Sequence, residues 1–198
     1  MTANNKKPRA ETGAGKLKDM PVSHELVATT SEYGTQTAKP QYSCDLSLIE
    51  QNFPPELIAF NRWCLWRFEW CAKSRRWTKV PYQPNGRRAE SDNRVTWSSF
   101  EDVCKAYRSK RGFDGIGWFL AEPYIGIDFD KCRDAATGVI ELWAADAIAL
   151  LNSYTEVSPR GTGIHVISQG ELPPGRRRVG RVEIYQTGRY FTVTGVLL

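Results

Sequence analysis

The chain has 198 residues, 41% of them apolar, with seven Trp, eight Tyr and eight Phe, enough for a sizeable core in one domain or a compact two-lobed unit. Its 27 Lys and Arg against 22 Asp and Glu give a net charge of +5, a mild bias that suits a polyanionic partner without requiring one. Five cysteines, none in a CxxC pair, support neither a disulfide framework nor a zinc knuckle, and no run is long and apolar enough for a membrane span or a signal peptide, so a cytoplasmic setting is expected.

Residues 1–43 hold no Trp or Phe and are dominated by small, polar and charged side chains, so they are expected to be a disordered leader. The folded domain is expected over 44–198. Residues 62–70 and 77–82 read as strands joined by a basic hairpin tip at Lys73-Ser74-Arg75-Arg76. Ser98 with Glu101 reads as a capping box, and Phe100, Val103, Cys104 and Tyr107 follow on one helical face. Strands are predicted at 115–120 and 124–130. A second helix starts near Glu141, its inner face marked by Trp143, Ala147, Leu150, Leu151 and Tyr154. Strands follow at 154–158, 163–168, 182–186 and 189–194. Strands and helices mix without βαβ alternation, which predicts an α+β fold with a mostly antiparallel or mixed sheet.

The chemistry concentrates in three places. In Gly126-Ile127-Asp128-Phe129-Asp130, the period of two directs Asp128 and Asp130 to one face, Cα atoms roughly 6–7 Å apart. Two hard carboxylates in that arrangement suit Mg²⁺ or Mn²⁺ and phosphoryl transfer; a solvated acidic pair at a strand end is the plain alternative. Glu183, a lone charge in the apolar run 182–185, is the best third acid, with Glu156 its competitor. In 158–165, Ser158, Arg160 and His165 surround a turn whose Gly161 and Gly163 let backbone N–H groups approach an anion, as a triphosphate needs. Arg189 is placed to reach a phosphate or, equally, to cap a turn.

Basic clusters occur at Lys73, Arg75, Arg76 and Lys79; at Arg87 and Arg88; at Lys105 to Arg111; and at Arg176, Arg177, Arg178 and Arg181. Such runs are mostly solvated faces. The last, directly before Glu183, is the one whose position suggests contact with a DNA template or primer.

The D-x-D of Asp128 and Asp130, the S-x-R-G-x-G-x-H of Ser158 to His165, and the E-I-Y of Glu183 followed by G-R-Y-F-T-V-T-G, in that order, resemble the archaeo-eukaryotic primase superfamily, in its phage and plasmid branch of bifunctional primase-polymerases. The resemblance covers about residues 60–195. It implies a two-lobed fold, with an RRM-like mixed sheet bearing the acids and a smaller αβ N-terminal lobe. It also implies a divalent-metal site at Asp128, Asp130 and Glu183 and nucleotide contacts from Ser158, Arg160, Gly161, Gly163, His165 and Arg189. Substrates would be single-stranded template, primer and dNTP or NTP. Relatives continue into a helical bundle and often a helicase, so the chain is expected to extend primers better than it starts them.

The expected activity is therefore a metal-dependent, template-directed nucleotidyltransferase serving replication of a phage, plasmid or other mobile element. Two other classes stay open. One is a noncatalytic single-strand-binding replication-initiation module with a primase-like fold; the other is a metal-dependent nuclease.

Overall fold

The computed structural model describes residues 37–109 and 112–198. In chain order its strands are β1 (Trp63–Cys71), β2 (Arg76–Tyr82), β3 (Gly115–Phe119), β4 (Tyr124–Phe129), β5 (Tyr154–Val157), β6 (Ile164–Gln169), β7 (Arg178–Val179), β8 (Val182–Tyr185) and β9 (Tyr190–Val193). Its helices are α1 (Leu46–Asn52), α2 (Pro55–Ile58), α3 (Phe100–Arg108) and α4 (Leu142–Leu151). No helix among the described residues is long and apolar enough to cross a membrane.

The strands form two sheets, β2-β1-β3-β9 and β5-β6-β4-β8-β7. Every strand pair in both is antiparallel, so the fold is α+β as expected, but the sheet bearing the acids is antiparallel and not mixed. In that second sheet short connections explain this: β5 to β6 and β7 to β8 are tight returns, and only β4 to β5 carries a helix.

Alternation sets what each sheet covers. In the first, Trp63 and Leu65 share a face with Ile116, Trp118 and Val193, all fully buried, and they pack with Ile49, Phe53, Leu57 and Val103 of the helices. In the second, Ile125, Ile127 and Phe129 of β4 turn to one side with Ile164 and Val166 of β6, and α4 closes over them with Ala144, Ala147, Ile148 and Leu151. The even-numbered residues of β4 must then face the opposite way, toward β9 of the first sheet. The sheets meet at Gly126, where a Cβ would lie 2.7 Å from the Phe191 ring and 2.5 Å from Leu120. Any larger residue there would force Phe191 or Leu120 to shift.

Two expectations need correction. The cap of α3 is Ser99, whose Oγ accepts from Asp102 N (3.1 Å), while Ser98 is taken up by a backbone bridge with Trp63. The inner stripe of α4 is Ala144, Ala147, Ile148 and Leu151, whereas Leu150 is 87% exposed and Tyr154 belongs to β5. That helix is apolar almost all round, so its periodicity does not choose a face. Of the segment expected as a leader, residues 1–36 lie outside the described residues. Residues 37–43 carry no helix or strand, yet Trp77 donates to Thr37 O (2.9 Å), Lys39 pairs with Asp114 (2.8 Å) and Tyr42 lies against Trp66.

Candidate active site

One row of cross-strand partners crosses the whole second sheet. Glu156 (β5) stands opposite His165 (β6), His165 opposite Asp128 (β4), Asp128 opposite Glu183 (β8), and Glu183 opposite Arg178 (β7). Directly opposed residues in an antiparallel pair share a face, so all five side chains rise on the side away from α4. Asp130, two residues beyond Asp128, rises on that side as well.

The row has a buried end and an open end. Glu156 is 1% exposed; its Oε2 accepts from Thr194 N (3.0 Å), Gly195 N (2.9 Å) and the Tyr154 hydroxyl (2.7 Å). Its other oxygen lies 3.5 Å from His165 Nδ1, within ion-pair range but outside hydrogen-bond geometry, so that nitrogen has no hydrogen-bond partner. The imidazole stacks on Phe191 (centroids 4.6 Å apart) and aims Nε2 at Asp128, 3.9 Å away. Burial pushes the Asp128 carboxyl above its ordinary range, with Asp130 and Glu183 adding and His165 and Lys79 opposing. At the open end, Arg178 bridges Glu183 (2.6 Å) and Asp130 (3.6 Å), and the Tyr185 hydroxyl donates to Glu183 Oε2 (2.8 Å).

A cleft of roughly 200 Å³ opens above the row, lined on the acid side by Asp128, His165 and Glu183 and on the other by Lys79, Arg189, Tyr190 and Thr192. Its polarity is split. Carboxylates line one wall, and a lysine from the first sheet with an arginine stacked on Tyr185 (4.6 Å) lines the other. Burial pushes the Lys79 ammonium down to about 8, opposed by attraction to Asp128.

The turn at 158–163 sits beside His165. The Ser158 hydroxyl accepts from Gly163 N (3.2 Å), and Gly161 has φ +74°, a conformation that favours glycine. Arg160 is exposed and close enough to Lys79 to repel it. Thus Asp128, Asp130, Glu183, His165 and Arg189 are gathered around or beside one cleft, with Ser158 and Arg160 on an adjoining turn. The arginines expected to contact DNA are mostly engaged within the chain: Arg177 donates to Pro173 O (3.0 Å), Arg178 holds two acids, and Arg181 makes a two-pronged bond to Glu141 (2.6 Å each). Arg176 is exposed.

Carboxylate oxygens at Asp128, Asp130 and Glu183 are the donors that Mg²⁺ or Mn²⁺ prefers, and the Arg178 guanidinium already places positive charge between two of them. The donor set fits such an ion. Among the described residues no three His, Cys, Asp or Glu side chains stand gathered at ligating distance.

Sequence reasoning missed the place of Lys79 and Tyr185 in the cleft. The signal for Lys79 was present: it is a charge on a strand whose same-face neighbours, Trp77 and Pro81, are apolar.

No family model matches the chain. The chain is similar to the DNA Primase-polymerase of Nitratiruptor phage NrS-1. The two are 34% identical over 148 residues, which is 70% of this chain and 20% of the phage protein. That identity supports a relationship to primase-polymerases, and the chain spans about a fifth of the relative's length.

Proposed function

We propose that the chain is a template-directed nucleotidyltransferase of the archaeo-eukaryotic primase type, joining nucleotides to a primer 3′-hydroxyl in the replication of a phage, plasmid or other mobile element. The observation that carries this reading is the row Glu156–His165–Asp128–Glu183, with Asp130 beside it, on the floor of a cleft whose far wall is cationic. Similarity to a protein named DNA Primase-polymerase supports it.

Asp128, Asp130 and Glu183 would hold divalent ions, which when bound supply stabilisation of charge on the attacking and leaving oxygens. The chain's own contribution is placement. Glu156 and Phe191 fix the His165 ring, so that Nε2 meets the cleft edge next to Asp128 and can donate to a phosphate oxygen. Arg189 and the N–H groups of the 158–163 turn offer further donors to the same polyanion. Tyr185 steadies Glu183 through its hydroxyl.

The test is extension of a labelled primer on a single-stranded template with Mg²⁺ or Mn²⁺. Lengthening by the wild type, absent in Asp130→Ala and Glu183→Ala variants that still fold, is expected. Shortening of the strand would assign the site to a nuclease, and metal-independent strand binding without any synthesis would assign it to a noncatalytic module.

A further inference from the structure

Among the described residues, Lys79 is the one side chain of the first sheet that brings an ammonium into the acid cleft. It projects from β2 on the face it shares with Trp66 and Thr192, and its Nζ makes one long hydrogen bond, to Thr192 Oγ1 at 3.3 Å, while lying 5.7 Å from the Trp66 ring centre. An ammonium has three donors, so two are left. No carboxylate lies within ion-pair distance of it among the described residues, and the acids opposite are those that would hold metal. A desolvated cation with unspent donors, facing a cleft across which negative groups are already committed, is placed for an anion that enters the cleft.

Resting on the nucleotidyltransferase reading, we propose that Lys79 is a substrate-binding residue whose ammonium donates to non-bridging oxygens of the triphosphate of the incoming nucleotide. A triphosphate carrying its metal fits the split polarity of the cleft: the ion lies toward Asp128, Asp130 and Glu183, and the phosphate oxygens lie toward Lys79 and Arg189. A compact ammonium on a flexible stem binds phosphate as a point charge, its three donors rotating to follow the oxygens. The alternative is that Lys79 only balances the acids from a distance and touches no substrate.

The experiment measures binding of an α,β-imido dNTP, of inorganic tripolyphosphate and of a labelled single-stranded oligonucleotide to the full chain with Mn²⁺, for the wild type, Lys79→Met and Lys79→Arg, each checked for folding by circular dichroism. The expected result is that Lys79→Met weakens the analogue and tripolyphosphate about tenfold or more, as loss of a charge-assisted hydrogen bond does. Lys79→Arg recovers part of that loss, and oligonucleotide affinity stays within about twofold. Analogue binding by Lys79→Met equal to that of a binding-competent wild type overturns the Lys79 assignment alone, as does a loss confined to the oligonucleotide. A wild type that binds neither the analogue nor tripolyphosphate overturns the nucleotidyltransferase reading and this assignment together.

Discussion

Glu156 Oε1 lies 3.5 Å from His165 Nδ1, and the same carboxylate holds the backbone N–H groups of Thr194 and Gly195 through its second oxygen. One buried acid therefore anchors the segment after β9 and backs the imidazole at the cleft. Glu156→Ala removes the acceptor and leaves the N–H groups of Thr194 and Gly195 and the Tyr154 hydroxyl without their buried partner. It is expected to lower stability by about 2–4 kcal/mol, read by urea unfolding. A change below about 0.5 kcal/mol would mean that the contact carries little.

Asp128 shows the opposite balance. A folded-state carboxyl pKa raised by burial means that the folded protein takes up this proton first as pH falls; the charged form therefore costs stability above that range, and the cost vanishes below it. Asp128→Asn is thus expected to unfold in metal-free buffer at pH 7 no more easily than the wild type, while primer extension is lost. A clear drop in melting temperature at pH 7 would contradict it.

For Lys79 the pKa is lowered instead, to about 8, so between pH 8 and the ordinary lysine range the folded chain binds fewer protons than the unfolded chain and stability attributable to this group rises with pH. Lys79→Met is expected to be more stable than the wild type at pH 7, by at most ~3 kcal/mol less ~1 kcal/mol for the lost bond to Thr192, with the advantage fading toward pH 10. Paired denaturation curves at pH 7 and pH 10 check this, and an advantage that grows with pH would refute it.

The side chain of Arg178 is 60% exposed, so its bridge between Glu183 and Asp130 is a weak surface contact worth ~0–1 kcal/mol. Displacing it for a metal costs little. Arg178→Gln is expected to bind Mn²⁺ more tightly by up to about fivefold, measured by electron paramagnetic resonance of the free ion. Weaker Mn²⁺ binding in the variant would show that Arg178 supports the acids and does not compete with the ion.

Much of this arrangement was legible locally. The period of two in β4 alone places Asp128 and Asp130 together, and the apolar neighbours of Glu183 mark it as a charge kept for a reason. Choosing between Glu183 and Glu156 was not a local matter, since both interrupt apolar strands. Strand order separates them: β8 lies directly beside β4, while β5 lies one strand further off, with His165 of β6 between Glu156 and Asp128. Lys79 was grouped with its basic neighbours because its approach to the acids depends on Gly126 letting Phe191 in, a contact between two sheets that sequence spacing does not carry. The pairing of Arg178 with Glu183 and Asp130 is not legible in the sequence, because a two-residue strand such as β7 leaves no periodic trace. In α4, Leu150 was turned inward because an almost wholly apolar helix gives no preferred face.

The most direct test is the location of Mn²⁺ by anomalous scattering from crystals of this chain grown with the ion. The account predicts a peak among the carboxylates of Asp128, Asp130 and Glu183, with Arg178 moved off Glu183. A fully occupied peak elsewhere, with Arg178 still bridging Asp130 and Glu183, would contradict it.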